Sequence, residues 1–243
     1  MKIMSLNIWG GHVKQPLLDF IAKHHDVDVF CFQEVYHNGA RKVSDEERVV
    51  YLNIFAEMQA LLPEHKPFFR PVVENHYGIA MLVKNEVEVI EEGQFPIYDN
   101  PGYPGIGPAH SRILQWANCQ VGPHVYTVIN IHGLWNGKGK TDSPERILQS
   151  QRIREFVEKL KDPFVLCGDF NLRPDTESLQ IIQKGMTNLI EKQGITSTRT
   201  SFYPKEEKFA DYVFTSPALT VRRFEVLQDV VSDHAPLLVE VEF

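Results

Sequence analysis

The chain has 243 residues, 43% of them hydrophobic and 23% charged, with a formal net charge of −7. That length supports a core able to fold without disulfides or a structural metal, and no apolar run reaches the length needed to span a bilayer. The acidic balance speaks against broad, sequence-independent adhesion to nucleic acid, which rests on phosphate neutralisation by Lys and Arg, but it permits an enzyme whose cleft is locally positive.

Met1 to Gly11 lacks the basic start, apolar segment and cleavage site of a secretory signal; it reads as a first strand, Lys2–Ile8, ending in a glycine pair. A short helix is expected from Leu17 to about Lys23, followed by an apolar strand, Val27–Phe32. Ser44 and Glu47 have the spacing of a capping box. Tyr51, Phe55, Met58 and Leu62 then recur at helical spacing before Pro63, so a helix is expected to open at Ser44. Ile79–Val83, Val87–Phe95, Ile113–Val121 and Val125–His132 are β-branched or aromatic runs bounded by Gly, Pro or Asn, as strands are. Pro96–His110, with four Pro and three Gly, is expected to be a long irregular loop, a length at which function is common.

Ser143 as cap and Pro144 in the first turn predict a second helix, with Ile153, Phe156, Val157 and Leu160 on one face. Phe164–Gly168, Phe209–Thr215, Val221–Leu227 and Leu237–Phe243 complete the strands. No repeat, low-complexity tract or linker divides the sequence, which predicts one domain over residues 1–243. Many strands and few helices point to two packed sheets with helices outside. Cys31, Cys119 and Cys167 lie far apart inside apolar stretches and form neither a CxxC pair nor a zinc cluster. They read as buried free thiols, in keeping with a cytoplasmic location.

The polar residues that interrupt this pattern sit at strand ends. Gly168-Asp169-Phe170-Asn171-Leu172-Arg173 follows the buried run Phe164–Cys167. If the backbone stays extended, Asp169 and Asn171 point to one side, one as base or water-orienting group and the other as donor to an oxyanion; an Asp/Asn turn is the alternative. Ser232-Asp233-His234 precedes the last strand and can bind a metal and a phosphate oxygen, or merely cap a turn. Gln33-Glu34-Val35 follows Val27–Phe32, where a carboxylate can hold a hard cation such as magnesium. Asn7 lies in Leu6-Asn7-Ile8, His132 closes the strand from Val125, and Asp211 stands in Ala210-Asp211-Tyr212.

In this order, from end to end of the chain, these segments resemble the endonuclease/exonuclease/phosphatase superfamily, whose deoxyribonuclease I-like and exonuclease III-like members have an α/β fold. The resemblance implies a four-layer α/β/β/α sandwich of two mainly antiparallel sheets with helices outside, and a metal-dependent hydrolase that cleaves a phosphoester by in-line attack of an activated water. It implies Asn7, Glu34 and Asp233 around a Mg2+ ion, for which Mn2+ can substitute. By the same resemblance Asp169 orients or deprotonates the water and Asn171 holds the water or the phosphate. His234 contacts the scissile phosphate, oriented and kept charged by Asp211, and His132 bonds a non-bridging oxygen or assists the leaving group. Arg112 matches an arginine that some members aim at phosphate, and Tyr77 with Gly78 a loop bordering the cleft.

Two departures stand out: Trp9 where some members carry Asp, and Tyr36 where certain DNA-cutting members have a basic residue. The substrate is a phosphodiester, in nucleic acid for instance, or else a small-molecule or lipid-headgroup phosphoester; a catalytically silent binding protein is the alternative of another class. A monomer without a membrane span is expected. Gly133–Thr141 has five residues rather than four between its first Gly and Gly-Lys-Thr, so it is no P-loop. It reads as a flexible cleft wall in which Trp135, Lys138 and Lys140 can meet substrate.

Overall fold

A computed structural model describes residues 1–39, 42–44, 49–103, 105 and 107–242. In chain order the strands and helices are β1 (Lys2–Asn7), α1 (Lys14–Lys23), β2 (Val29–Tyr36), β3 (Lys42–Ser44), β4 (Val49–Tyr51), α2 (Ile54–Leu61), β5 (His65–Val73), β6 (Tyr77–Lys84), β7 (Glu88–Tyr98) and β8 (Arg112–Val121). They continue with β9 (His124–His132), α3 (Pro144–Glu158), β10 (Phe164–Asp169), α4 (Glu177–Gln183), β11 (Thr187–Asn188), α5 (Leu189–Lys192), β12 (Asp211–Thr215), β13 (Thr220–Val226) and β14 (Leu237–Glu242). A 3-10 turn, Trp9–Gly11, follows β1.

Two six-stranded sheets result, ordered β13-β14-β1-β2-β6-β5 and β11-β12-β10-β9-β8-β7, with β3-β4 as a separate hairpin. Each large sheet holds one parallel pair, β1 with β2 and β9 with β10, and is otherwise antiparallel. Strand alternation divides the apolar residues between two faces. Ile3, Val29, Cys31, Met81 and Val83 of the first sheet join Val128, Leu166 and Cys167 in the core, while Met4, Leu6, Phe30, Phe32 and Leu82 pack under Leu17, Phe20, Ile54, Phe55 and Met58 of α1 and α2. Ile153 and Val157 of α3, with Leu179 and Ile182 of α4, join the cluster built on the second sheet. The two sheets with helices outside are the α/β sandwich expected. The three cysteines are buried and free.

Several boundaries differ from the sequence reading. No helix opens at Ser44, which ends β3; Glu47 lies outside the described residues, and the helix begins at Ile54 after Asn53. Pro96–Tyr98 belongs to β7 rather than to the loop, whose Pro104 and Ile106 are outside the described residues. Strand β5 was not anticipated. Its Pro67 and Pro71 are tolerated because it is an edge strand, paired only with β6.

At Gly168 the backbone needs a residue without a side chain. It has φ +139°, and a Cβ there would sit 2.1 Å from the Ile131 carbonyl of the parallel neighbour β9. Gly168→Ala is therefore expected to cost at least about 3 kcal/mol of stability in denaturant unfolding; an unchanged midpoint would mean that β9 and β10 can separate freely.

Candidate active site

The parallel pairings bring the polar strand ends together. Asn7 stands opposite Gln33 across β1 and β2, while Asp169 stands opposite both His132 on β9 and Asp211 on β12. Asn7 follows Ile3 and Ser5 on the face turned to the second sheet. Its Nδ2 donates to Glu34 Oε1 at 3.1 Å and to Asp169 Oδ2 at 3.0 Å, tying the two sheets at one edge. Just beneath, Gln33 Nε2 donates to Asn130 Oδ1 at 2.7 Å, and Asn130 Nδ2 donates to the carbonyls of Phe32 and Ala80. These buried bridges fix how the sheets face one another.

A bulge aims Glu34. Phe32 pairs with Ala80 but Val35 with Gly78, so β2 carries one residue more than its partner, and Glu34 has φ +57°. An extra residue bends the strand and re-aims a side chain, and strain of this kind at a site is held by its surroundings. Asn171 is likewise left-handed, at φ +52°. The extended backbone expected after Asp169 is thus not found: Asp169 Oδ1 accepts the Asn171 N–H at 2.8 Å, and the turn swings Asn171 Nδ2 toward the Gly133 carbonyl at 3.3 Å. The Asp/Asn turn and the polar cluster are one feature.

His132 Nε2 lies 3.9 Å from Glu34 Oε1 and 3.8 Å from Asp169 Oδ2. His234 Nε2 is 3.7 Å from Asp169 Oδ2 and 3.8 Å from Asp233 Oδ1, while its Nδ1 is 2.8 Å from Asp211 Oδ1. Asp211 also accepts the Thr198 hydroxyl at 3.0 Å, which fixes carboxylate and ring together. Burial and the nearby Arg199 push the pKa of His234 down to about 3, while burial pushes Asp211 up to about 6. Burial lowers His132 as well, with the charge of Arg112 adding to it.

Burial and the charge of Asp233 push Glu34 up to about 7, although its side chain keeps 29% exposure at the cleft floor. Carboxylates that raise one another in this way are what a hard divalent cation relieves. Ligand atoms of Glu34, His132 and Asp169 lie within 4.8 Å of one another, as do those of Asp169, Asp211 and His234. A divalent ion therefore fits. Within the expected metal set the structure makes distinctions. Asn7 turns its amide N–H groups toward the carboxylates and its oxygen toward the Trp9 N–H, 3.0 Å away. Asp233 is in contact with Arg199, 3.2 Å from its Nη1.

Glu34, His132, Asp169, Asn171, Asp233 and His234 line a single cleft of about 370 Å³, as do Tyr77, Arg112 and Trp135, while Asn7 and Asp211 lie behind it. Tyr77 meets His110 edge-on, with ring centroids 5.4 Å apart, and Lys205 lies over the Trp135 ring. Lys138 does not line the cleft. The segment expected to be flexible is fastened: Arg146 of α3 donates to the carbonyls of Leu134, Gly139 and Thr141.

Sequence reasoning passed over Arg199, Tyr203 and His110, all at the cleft. The Arg199 guanidinium lies 4.0 Å over the Tyr203 ring, and a bridge pairs Arg199 with His234. Nothing in Thr-Arg-Thr-Ser-Phe-Tyr distinguishes it from an ordinary polar loop. Lys140 is buried, donates to the Phe209 carbonyl at 3.3 Å, and is pushed down by burial to about 8.

The model of the Endonuclease/Exonuclease/phosphatase family matches residues 4–234. The exodeoxyribonuclease III of Haemophilus influenzae is 28% identical over 212 residues, which are 85% of this chain and 68% of that protein. Among solved structures, the mannosyl-6-phosphatase Bt3783 of Bacteroides thetaiotaomicron superposes with TM-score 0.75 at 21% identity, over all of both chains. A functionally unknown conserved protein of Enterococcus faecalis superposes with TM-score 0.74 at 22% identity, over all of this chain and 99% of the other. At these identities the two structures speak for the fold, while the family match covers nearly every residue from Met4 to His234. The chain belongs to the endonuclease/exonuclease/phosphatase family and is a hydrolase of phosphoester bonds.

Proposed function

We propose that the protein is a magnesium-dependent phosphoesterase in which water attacks phosphorus in line. The observation that carries this is the meeting of Glu34, His132, Asp169, Asn171, Asp233 and His234 in one cleft. Glu34 and Asp233, with Asp169 between them and Asn7 fixing the carboxylates, would hold the Mg2+, which when bound polarises the phosphoester and offsets charge developing on its oxygens. Mn2+ would serve in its place.

Asp169, pinned on both oxygens by Asn171 and Asn7, orients the attacking water and takes its proton as the new O–P bond forms. Asn171 keeps the water or a phosphate oxygen in place. His234, its Nδ1 fixed by Asp211, turns Nε2 toward the reacting group. The negative phosphoryl group favours a protonated ring there, and the ring then donates to an oxygen that gains charge. His132 offers its ring to a second oxygen or to the leaving group, whose bond to phosphorus breaks as the alcohol departs.

The test is hydrolysis of p-nitrophenyl phosphate and bis-p-nitrophenyl phosphate with Mg2+, with Mn2+ and with chelator. Turnover should require the metal, and Glu34→Ala should raise the metal concentration needed by at least about tenfold. Metal-independent turnover, or a Glu34→Ala variant with an unaltered requirement, would overturn the proposal. A nucleic-acid substrate is a second reading, favoured by the likeness to an exodeoxyribonuclease III and opposed by the net charge of −7. Cutting of a labelled duplex would decide for it.

A further inference from the structure

Two cations in this cleft have no carboxylate within ion-pair distance among the described residues. Arg112 is buried, its Nε and Nη1 have no hydrogen-bond partner, and Nη2 reaches only the Pro108 carbonyl at 3.4 Å. Lys140 is 3% exposed and, among the described residues, donates to the Phe209 carbonyl alone, with Nζ 5.1 Å from the centre of the Tyr203 ring. Neither forms an ion pair among the described residues, unlike Arg199, whose charge is matched by Asp233. An unpaired buried cation is costly, and two of them lining one cleft point to an anion that meets both.

They flank the reaction centre on different sides. Arg112 acts on Glu34 and His132, whereas Lys140 acts on Asp211, Asp233 and His234; Asp169 feels both. The Arg112 side is walled by the almost fully buried rings of Tyr77 and His110, with exposed Pro108 at its rim. The far side is rimmed by half-buried Trp9, Trp135 and Tyr203, with exposed Phe202 beside Trp9.

We infer that the cleft takes a terminal phosphate, so that the substrate is a phosphomonoester whose unsubstituted oxygens meet Arg112 and Lys140 and whose organic part leaves past Trp9 and Trp135. A monoester has three free oxygens sharing about two negative charges, enough to reach both cations and the carboxylate–imidazole floor together. A diester has two free oxygens and one charge; its second substituent would have to lie against the buried Arg112, Tyr77 and His110 or against the Lys140 ammonium. The hydrolysis balances: the water oxygen bonds to phosphorus, the bond to the organic oxygen breaks, and alcohol and inorganic phosphate leave. Lys140 is then a specificity residue, and the inference rests on the phosphoesterase reading above.

Two measurements on the Mg2+-loaded protein test it. For turnover, kcat/KM for p-nitrophenyl phosphate should exceed that for bis-p-nitrophenyl phosphate at least tenfold. Faster diester turnover, or internal cutting of an oligonucleotide, would overturn the inference and leave the phosphoesterase reading standing. Turnover of neither would sink that reading first. For binding, titration calorimetry should show orthophosphate held at least tenfold more tightly than dimethyl phosphate. Lys140→Met should weaken orthophosphate about tenfold, the scale of a charge-assisted hydrogen bond, with dimethyl phosphate little changed. Arg112→Met gives a second variant, expected to melt no lower than wild type because it removes an unpaired buried charge, while losing orthophosphate affinity to a similar degree. Equal affinity for the two anions, or equal losses for both in Lys140→Met, would overturn the inference.

Discussion

Asp169→Asn is expected to lower kcat by about a thousand-fold or more, within the range that general base catalysis supplies, while the protein melts within a few degrees of wild type. The substitution keeps shape and removes charge. One oxygen of the new amide can still accept the Asn171 N–H that Asp169 Oδ1 now accepts at 2.8 Å. The contact to Asn7 Nδ2 at 3.0 Å is lost, because two amide N–H groups would then face each other. A lost hydrogen bond of this kind costs about 1 kcal/mol, and relief of repulsion among Glu34, Asp169 and Asp233 offsets part of it.

Turnover has no such compensation. The amide cannot take the proton of the attacking water, and it no longer contributes negative charge where a cation would bind. Single-turnover rates at saturating substrate, beside a thermal melt, separate the two roles. A variant that turns over within tenfold of wild type would show that Asp169 is only a strut between the sheets. One that unfolds would show that the strut matters more than the base.

The placement of the polar residues was legible in the sequence because the fold is strict about strand ends. Apolar runs that stop at Gln33-Glu34, His132 and Asp169, and the one that starts at Asp211, become neighbours once β1 pairs with β2 and β9 with β10 in parallel register and β12 joins β10. Chain order alone then accounts for much of the cluster. Orientation was less accessible. The left-handed backbone at Glu34 and Asn171 follows from a bulge and an Asp turn, both stabilised by partners far away in the chain. The lowered pKa of His234 comes from burial and from Arg199, neither of which a motif displays.

Where the reading failed, a local signal was overruled by pairing. Ser44 and Glu47 have the spacing of a helix cap, yet Ser44 ends a strand that finds its partner in Val49–Tyr51, and the helix waits for Ile54. Hairpin pairing outcompetes a cap that offers only about 1 kcal/mol. Strand β5 was hidden by its prolines, which only an edge position makes harmless. Arg199 was hidden by context: a lone arginine among threonines and serines becomes part of the cleft when the 199–203 segment folds over Asp233 and His234. Trp135, Lys140, Arg199 and Tyr203 of the aromatic and cationic walls come from segments of irregular backbone, where sequence pattern carries the least information, whereas Arg112 and Tyr77 open strands β8 and β6.

His234→Ala is expected to reduce kcat/KM by about a hundred- to ten-thousand-fold, and Asp211→Asn by a substantial part of the same factor. The reason lies in how the pair is built. Asp211 holds His234 Nδ1 at 2.8 Å and is itself held by Thr198 at 3.0 Å, which leaves Nε2 aimed between Asp169 and Asp233. Asp211 does not line the cleft, so it acts through the imidazole. In the proposed mechanism it would choose which ring nitrogen carries the proton and would stabilise the positive ring that forms when the phosphoryl group develops charge. Removing either partner should abolish the same contribution, so the double variant His234→Ala/Asp211→Asn should be scarcely slower than His234→Ala alone. That non-additivity is the readout, since residues acting as a unit give single losses that do not multiply. If the two losses multiply instead, Asp211 works independently of the ring, and its buried carboxylate would have to serve the core or the cation rather than the phosphate contact. Thr198→Val extends the same chain by one link: it removes the hydroxyl that holds Asp211 Oδ2, leaving that oxygen to His234 Nδ1 at 2.9 Å, and should produce a smaller loss in kcat that vanishes in the His234→Ala background.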